Sequence, residues 1–264
     1  MYRRKVTVMP SESGCTNEIK LRPLLNLLQD TAGLAVASIE GAPGDLVRRG
    51  YGWVLLRYNI EISRLPGMDE TVVIETRHTS NDGFNTLRVF RVFAENNEAE
   101  TLVLAKTSWV LIDLAAGRPV RAVQHIPEIF SGVANDPPIE ADFTPIPKLK
   151  DLPAARGRQA SAAFPVRFHD LDANGHVNNA VYFEWMFEAT PLDLTEWSIS
   201  AVRAEFRVSA KLGDTVAVRL DDLEEQTGND RTFVYEMTRA DTETGAGAEN
   251  ARAMARFAAT WRRA

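Results

Sequence analysis

The chain is poor in the residues that would narrow its chemistry quickly. It has one cysteine in 264 residues, so an intramolecular disulfide and a multi-thiolate zinc site are both excluded. No apolar run approaches the ~18 residues of a membrane span. Positive charge is not in excess. Thirty Lys and Arg face 36 Asp and Glu, a net charge of −6, which gives no whole-chain attraction to nucleic acid or anionic lipid. The start, Met1-Tyr2-Arg3-Arg4-Lys5, is basic, but no signal-peptide apolar stretch follows, so the expected location is the cytoplasm. A Gly-x-Ser-x-Gly elbow, a P-loop and a Gly-x-Gly-x-x-Gly fingerprint are all missing. Cys15 lies in a polar turn with no partner that would activate it, and reads as incidental. His78 and His125 stand alone and read as ordinary surface or core histidines. What is present is a globular composition, 45% hydrophobic and 25% charged, long enough for one large domain or two small ones.

A weak internal repeat favours two. Arg57–Ser63, followed by Gly67, Asp69 and Val72-Val73-Ile74, resembles Arg203–Ser209, followed by Gly213, Asp214 and Val216-Ala217-Val218. Each reads as an alternating strand, a turn and a second strand. Further strands are expected at Leu87–Phe93 and Leu102–Asp113 in the first half, and at Thr232–Thr238 and Ala253–Trp261 in the second. Thr107-Ser108-Trp109 and Thr260-Trp261 close the halves similarly. A helix is expected upstream of each strand set. The first, about Arg22–Ile39, carries a 3.6-residue stripe of Leu24, Leu25, Leu28, Ala32, Ala35, Val36 and Ile39. The second, about Asn179–Ala189, leaves mainly Glu184 and Glu188 polar. A helix apolar on nearly every side is buried on nearly every side, and an antiparallel sheet that curls around it is the simplest housing. The inferred plan is α+β: a helix covered by about five strands, occurring twice. Seven prolines between 127 and 165 mark a linker over 127–162. The modules would then be 1–126 and 163–264. Asp241–Asn250 reads as a mobile hairpin tip.

One stretch is dense in chemistry. Phe168-His169-Asp170-Leu171-Asp172-Ala173-Asn174-Gly175-His176-Val177-Asn178-Asn179 packs two His, two Asp and three Asn between an expected strand at Pro165–Phe168 and the buried helix. Asp172, Asn174 and His176 are spaced by two, which in an extended loop aims them to one side. Three readings compete. Asp170-x-Asp172-x-Asn174-Gly175 imitates the start of a calcium loop, but its twelfth position is Val181 where a bidentate Glu is needed. Asp and Asn are also ordinary turn and cap residues. The third reading is a catalytic loop. An imidazole is a general base ordinarily titrating near neutrality. A carboxylate such as Asp172 can orient it. The N–H groups of Val177, Asn178 and Asn179, at the helix N-terminus, can hold an oxyanion.

Asp172-x-Asn174-x-His176-Val177-Asn178-Asn179-x-x-Tyr182, with a buried helix behind it, resembles the hotdog-fold thioesterases, and within them the acyl-acyl-carrier-protein (acyl-ACP) thioesterases. The likeness continues in Leu24-Leu25-Asn26-Leu27-Leu28-Gln29-Asp30-x-Ala32-Gly33, Gly52-Trp53-Val54-Leu55-x-Arg57-Tyr58, Ser108–Asp113 and Arg118-Pro119-Val120. The resemblance implies a double hotdog packed as a pseudo-dimer, monomeric or a homodimer. It implies hydrolysis of a fatty acyl-ACP thioester to free fatty acid, ending fatty acid synthesis. No cofactor and no metal are required. Asp172, Asn174 and His176 would be catalytic. The first half, with Leu28, Ala32, Val54 and Leu56, would shape the acyl pocket together with Tyr182, although each also reads as plain core. The family expects a further acidic or cysteine residue on the next strand. Aligned on Phe206-Arg207, Ser209 and Ala210 stand there instead, so Ser209 is a possible fourth position and the activation of water is open.

Setting the two helix stripes in register places Asp172, Asn174 and His176 on Thr16, Glu18 and Lys20, so the first half lacks the trio. Acyl carrier protein, being acidic, would be met by a basic patch, for which Arg48-Arg49 and Arg203 with Arg207 are candidates. Three alternatives remain at this point: an acyl-CoA thioesterase on the same fold, a hotdog hydratase or dehydratase, and a non-catalytic acyl binder.

Overall fold

The computed structural model describes residues 1–39, 46–130, 138–139, 146, 148, 155, 161–223, 229–240 and 253–263. The chain divides into two compact units, Met1–Ile146 and Pro147–Ala264.

In the first unit a helix, α1 (Leu21–Ala37), lies against an antiparallel sheet. Its buried residues Leu21, Leu24, Leu25, Leu28, Thr31 and Ala35 fall on one stripe, which is why this segment is helical and why it is seated on the sheet. Thr31 is tolerated inside because its hydroxyl donates to the Leu27 carbonyl at 2.6 Å. The helix stops two residues short of the expected Ile39, where Ser38 caps the Leu34 and Ala35 carbonyls.

The sheet strands are β1 (Tyr2–Thr7), β2 (Tyr51–Ile62), β3 (Thr71–Asp82), β4 (Asn85–Ala94) and β5 (Asn97–Asp113), with a short β6 (Arg118–Val120) on β5. Their order is β1-β3-β4-β5-β2, and every pairing is antiparallel. The basic start of the chain is thus an edge strand. Its charges serve it there: Arg3 pairs with Glu75 and Glu98, and Lys5 with Glu95, which blunts the edge against further strand addition. A short helix, α2 (Ala122–His125), and a 3-10 turn at Pro127–Phe130 follow. Ala122, Ile126 and Ile129 form a small core with Leu111.

The second unit repeats the plan. Its strands are β7 (Ala162–Pro165), β8 (Trp197–Phe206), β9 (Thr215–Asp222), β10 (Asp230–Arg239) and β11 (Ala255–Arg263), ordered β8-β11-β10-β9-β7, again antiparallel. Its helix, α3 (Asn179–Ala189), occupies the expected residues. Burial of Ala180, Val181, Tyr182, Phe183, Trp185, Met186 and Ala189 leaves little solvent-facing surface. The core around it is aromatic. Phe183 meets Phe257 edge-on at 4.9 Å, Phe187 meets Trp261 at 4.8 Å, and Tyr182 meets Trp185 at 5.1 Å. The polar tips in this core are satisfied: the Tyr235 hydroxyl bonds both Thr190 Oγ1 and Trp261 Nε1.

Each unit is therefore a helix wrapped by an antiparallel sheet of five main strands, with the short β6 added in the first, the double hotdog that the resemblance implies. One element is displaced from expectation. The strand placed at Pro165–Phe168 runs over Ala162–Pro165, and a 3-10 turn occupies Phe168–Asp170. The cause is local: Arg167 folds its backbone N–H and its guanidinium onto the Asp170 carboxylate, which closes the chain into a turn. Much of the expected linker 127–162, and the expected hairpin tip Asp241–Asn250, lie outside the described residues. Ile139, within that linker, is buried with Val89 and Leu104.

Candidate functional site

The loop from Asp170 to Asn179 is organised by its acidic and amide side chains. Asp170 is fully buried. Its carboxylate accepts from the Arg167 backbone N–H at 2.8 Å and from the Arg167 guanidinium at 2.7 Å, which raises the arginine above its ordinary range. The Asp170 carbonyl accepts from the Asn178 N–H at 2.8 Å, tying the loop's two ends together. That use of Asp170 removes the first position of the calcium imitation. Among the described residues no group of three His, Cys, Asp or Glu is arranged to hold a metal ion.

Between those ends the chain makes a tight excursion. Leu171 and Val177 form a β-bridge, and the Asp172 N–H donates to the His176 carbonyl at 2.7 Å. Gly175 has φ +72°, a left-handed conformation that costs glycine nothing. Asp172 Oδ1 accepts from the backbone N–H groups of Asn174 (2.8 Å) and His176 (3.2 Å). The structure thus brings Asp172, Asn174 and His176 together on one turn, with Asp172 holding the other two in place. Among the described residues, the Asn174 amide and the His176 ring have no hydrogen-bond partner. Asn174 is exposed and His176 half-buried.

The helix start is partly occupied. The Val177 N–H donates to the Ala210 carbonyl at 2.9 Å, and the Asn178 N–H is bound to Asp170. Asn178 is the N-cap, its Oδ1 accepting from the Ala180 N–H at 2.8 Å. Of the three backbone donors singled out in the sequence, that of Asn179 alone has no acceptor among the described residues. Periodicity cannot reveal this, because the competing carbonyls of Asp170 and Ala210 come from either side of the loop.

Ser209 is exposed, and Ala210 is fully buried beside the loop. The Ala210 N–H donates to the Tyr182 hydroxyl at 2.8 Å, while burial pushes that phenol up to about 12. Tyr182 therefore braces Ala210, which in turn braces Val177.

The first unit builds the same loop without the chemistry. A 3-10 turn at Pro10–Glu12, a Met9 N–H to Glu12 bond of 2.9 Å and a Ser13–Ile19 bridge repeat the second unit's features. The Gly14 N–H donates to the Glu18 carbonyl, as the Asp172 N–H does to that of His176. Position by position, Gly14, Thr16 and Glu18 stand where Asp172, Asn174 and His176 stand. This corrects the helix-stripe register by two residues. The stripes mislead because α1 starts at Leu21, earlier than its apolar periodicity alone indicates.

Among the acyl-pocket candidates, Ala32 lines a cavity of about 280 Å³ inside the first unit, with Val36, Leu46, Trp53 and Trp109. Leu28 is fully buried, Leu56 half-buried and Val54 42% exposed. Arg48, Arg49, Arg203 and Arg207 are all exposed. The cavity's remaining wall, Gln29, His78, Thr86 and Arg88, was not singled out in the sequence as a site. No helix among the described residues is long and apolar enough to cross a membrane.

Residues 1–130 match the model of the acyl-ACP thioesterase N-terminal domain, and residues 154–259 that of the C-terminal domain. Among curated relatives, a chloroplastic palmitoyl-acyl carrier protein thioesterase of Cuphea hookeriana is 27% identical over 208 residues, 74% of this chain and 48% of that one. The chloroplastic oleoyl-acyl carrier protein thioesterase 2 of Arabidopsis thaliana is 26% identical over 229 residues, 81% of this chain and 61% of that one. The chain spans about half the length of the first of these. Among solved structures, a 12:0-ACP thioesterase from Umbellularia californica superposes with a TM-score of 0.79 at 19% identity, covering 100% of this chain and 94% of that one. An acyl-ACP thioesterase from Bacteroides thetaiotaomicron gives 0.78 at 20% identity, covering 98% and 97%. These likenesses show a shared fold, and the two matched domain models account for most of the sequence: the chain belongs to the acyl-ACP thioesterase family.

Proposed function

We propose that this protein hydrolyses the thioester of fatty acyl-acyl carrier protein and releases free fatty acid, with the chemistry on the Asp172–Asn179 loop of the second unit. The observation that carries the proposal is the turn itself. Asp172 holds Asn174 and His176 by their backbones and leaves both of their side chains free for a ligand, next to an unclaimed N–H at the start of α3.

In this reading a water molecule, oriented by the Asn174 amide, attacks the thioester carbonyl carbon. His176 takes one of its protons. The oxyanion is received by the Asn179 N–H, where the helix dipole favours negative charge. Collapse of the intermediate breaks the C–S bond, and His176 returns the proton to the leaving sulfur. One water is consumed, and one acid and one thiol are formed. Asp172 acts as a positioning residue through its grip on the loop, and its second carboxylate oxygen remains available to the imidazole. Ser209 is exposed and is no substitute for an acidic group, so the water is activated by His176 in this scheme. A donor to the oxyanion contributes about 10²–10³ in rate, and a general base about 10²–10⁴.

The first unit, with Gly14, Thr16 and Glu18 at the equivalent places, contributes no such group, which gives one active site per chain. The carrier would be acyl carrier protein, met by the exposed arginines 48, 49, 203 and 207. The single exposed cysteine is compatible with a reducing cytoplasm. The test is thiol release from matched acyl-ACP and acyl-CoA substrates of equal chain length. The proposal predicts higher kcat/KM on the carrier-protein substrate. Equal or better hydrolysis of the CoA thioester would overturn the choice of carrier, and absence of thiol release from both would overturn the hydrolase.

A further inference from the structure

The cavity of the first unit has an unusual floor. Its walls are apolar: Ala32 and Val36 from α1, Leu46, Trp53 from β2 and Trp109 from β5. At about 280 Å³ it is roughly twice the ~150 Å³ at which an apolar cavity already takes a small aromatic molecule. Four polar side chains complete the lining: Gln29 on α1, His78 on β3, and Thr86 and Arg88 on β4. They are brought together by sheet geometry. Thr86 and Arg88 are two residues apart, hence on one face of β4, and His78 is the cross-strand partner of Arg88.

Three of these groups are buried: Thr86 is 1%, Arg88 4% and His78 8% exposed. The Arg88 guanidinium donates to Thr76 Oγ1 at 3.1 Å and to His78 Nε2 at 2.6 Å, both neutral acceptors. Among the described residues no carboxylate pairs with it. Desolvation pulls Arg88 down to about 10, which still leaves it charged at neutral pH. The same burial, together with the Arg88 charge, holds His78 well below its ordinary range, so the ring is neutral and serves as an acceptor. Thr86 Oγ1 and the amide nitrogen of Gln29 are buried without a hydrogen-bond partner among the described residues. A guanidinium has five N–H donors, so Arg88 has capacity beyond its two bonds. The floor is thus a buried cation with no counter-charge, flanked by unused donors. Left empty, such a set is costly; an anionic oxygen ligand would satisfy the charge and the donors at once.

We propose that this cavity binds an aliphatic chain ending in a carboxylate, with the carboxylate on Arg88, Thr86 and Gln29 and the chain between Trp53 and Trp109. One guanidinium calls for one negative charge, and the apolar walls call for a hydrocarbon body. The proposal rests on the thioesterase reading only in taking that body from the acyl class. Two sources supply the chemistry: the free fatty acid that the reaction releases, or an acyl group whose far end is itself oxidised to a carboxylate.

The test is a binding titration by tryptophan fluorescence with decanoate and with methyl decanoate, at pH 7.5, on the wild type, Arg88→Met and Thr86→Val. The wild type is expected to bind decanoate at least tenfold more tightly than the methyl ester. That ratio should fall towards one in Arg88→Met and by several-fold in Thr86→Val, which keeps the buried charge and serves where Arg88→Met does not fold. Equal affinity for the two ligands in the wild type overturns the proposal, as does a ratio unchanged by the variants. Two kinetic arms identify the source. Inhibition by added decanoate that is relieved in Thr86→Val marks the free acid. Preferential cleavage of an ω-carboxydecanoyl thioester over the decanoyl one, lost in the same variant, marks the oxidised acyl chain. Decanoate binding by a protein that releases no thiol would leave this site standing and remove the hydrolase, and the reverse result would do the opposite.

Discussion

Asp172 offers the sharpest separation of geometry from charge. Its Oδ1 holds the backbones of Asn174 and His176 at 2.8 and 3.2 Å. A hydrogen bond to a charged acceptor contributes about 1.5–3 kcal/mol. Half exposure and the longer second bond discount the pair below the sum of two such bonds, to about 2 kcal/mol for the two together. Asp172→Ala loses both bonds and loosens the turn. Asp172→Asn keeps a neutral acceptor in the same place, so roughly half of that anchoring survives, while the negative charge that holds the His176 backbone N–H is gone. Since each ~1.4 kcal/mol is a factor of ten in rate, Asp172→Asn should lower kcat at least tenfold, and Asp172→Ala by a further factor of about five. KM should change less than kcat, since the residue acts through the loop. The assay is steady-state thiol release for the three proteins, with thermal unfolding to show that each is folded. A folded Asp172→Asn protein with wild-type kcat would refute the assignment of Asp172.

Other perturbations test the frame around the loop. Asp170→Ala removes a fully buried carboxylate that accepts from the Arg167 backbone N–H, and should cost about 1.5–3 kcal/mol in denaturant unfolding, the contribution of a hydrogen bond to a charged group, because the exposed Arg167 guanidinium is rehydrated; a loss under 1 kcal/mol would contradict the anchor. Tyr182→Phe leaves the buried Ala210 N–H without an acceptor, so a loss of about 1–3 kcal/mol is expected, and faster amide exchange at Ala210 and Val177 would accompany it. His78 is neutral when folded and protonates in the unfolded chain as pH falls below about 6.5. The unfolded state then binds more protons, so the stability this residue provides is complete above pH 6.5 and is lost on acidification, by about 1.4 kcal/mol per pH unit. The difference in unfolding free energy between wild type and His78→Gln, followed from pH 7 to pH 5, should shrink at that slope; a constant difference would rule it out.

Much of the frame is legible in the amino-acid order because it is built on periodicity. The stripe of α1 and the alternation in β11 follow from burial on one face, the all-round apolarity of α3 follows from burial on nearly every side, and the sequence carries those signals locally. The loop proposed as catalytic is legible for a different reason: its density of Asp, Asn and His has no counterpart elsewhere in the chain. What local patterns miss is pairing across space. The use of the Val177 and Asn178 N–H groups depends on carbonyls at Ala210 and Asp170. The cationic floor of the first unit is assembled from strands β3 and β4 and helix α1, so His78 alone carries no warning of Arg88. One signal was available: within β4, Thr86, Arg88 and Phe90 share a parity, which puts an arginine on the face that packs against a helix. The two-residue error in comparing the repeats has a related origin, since helix stripes are insensitive to where the preceding turn closes, and the Pro10–Glu12 and Phe168–Asp170 turns set that register.

The most direct test of the whole account is thiol release from fatty acyl-acyl carrier protein by His176→Ala alongside the wild type, under single-turnover conditions and with binding of the substrate measured separately. The account predicts rapid release by the wild type, and in the variant a fall of at least tenfold with substrate binding preserved. Release at the wild-type rate by a folded His176→Ala protein would contradict it.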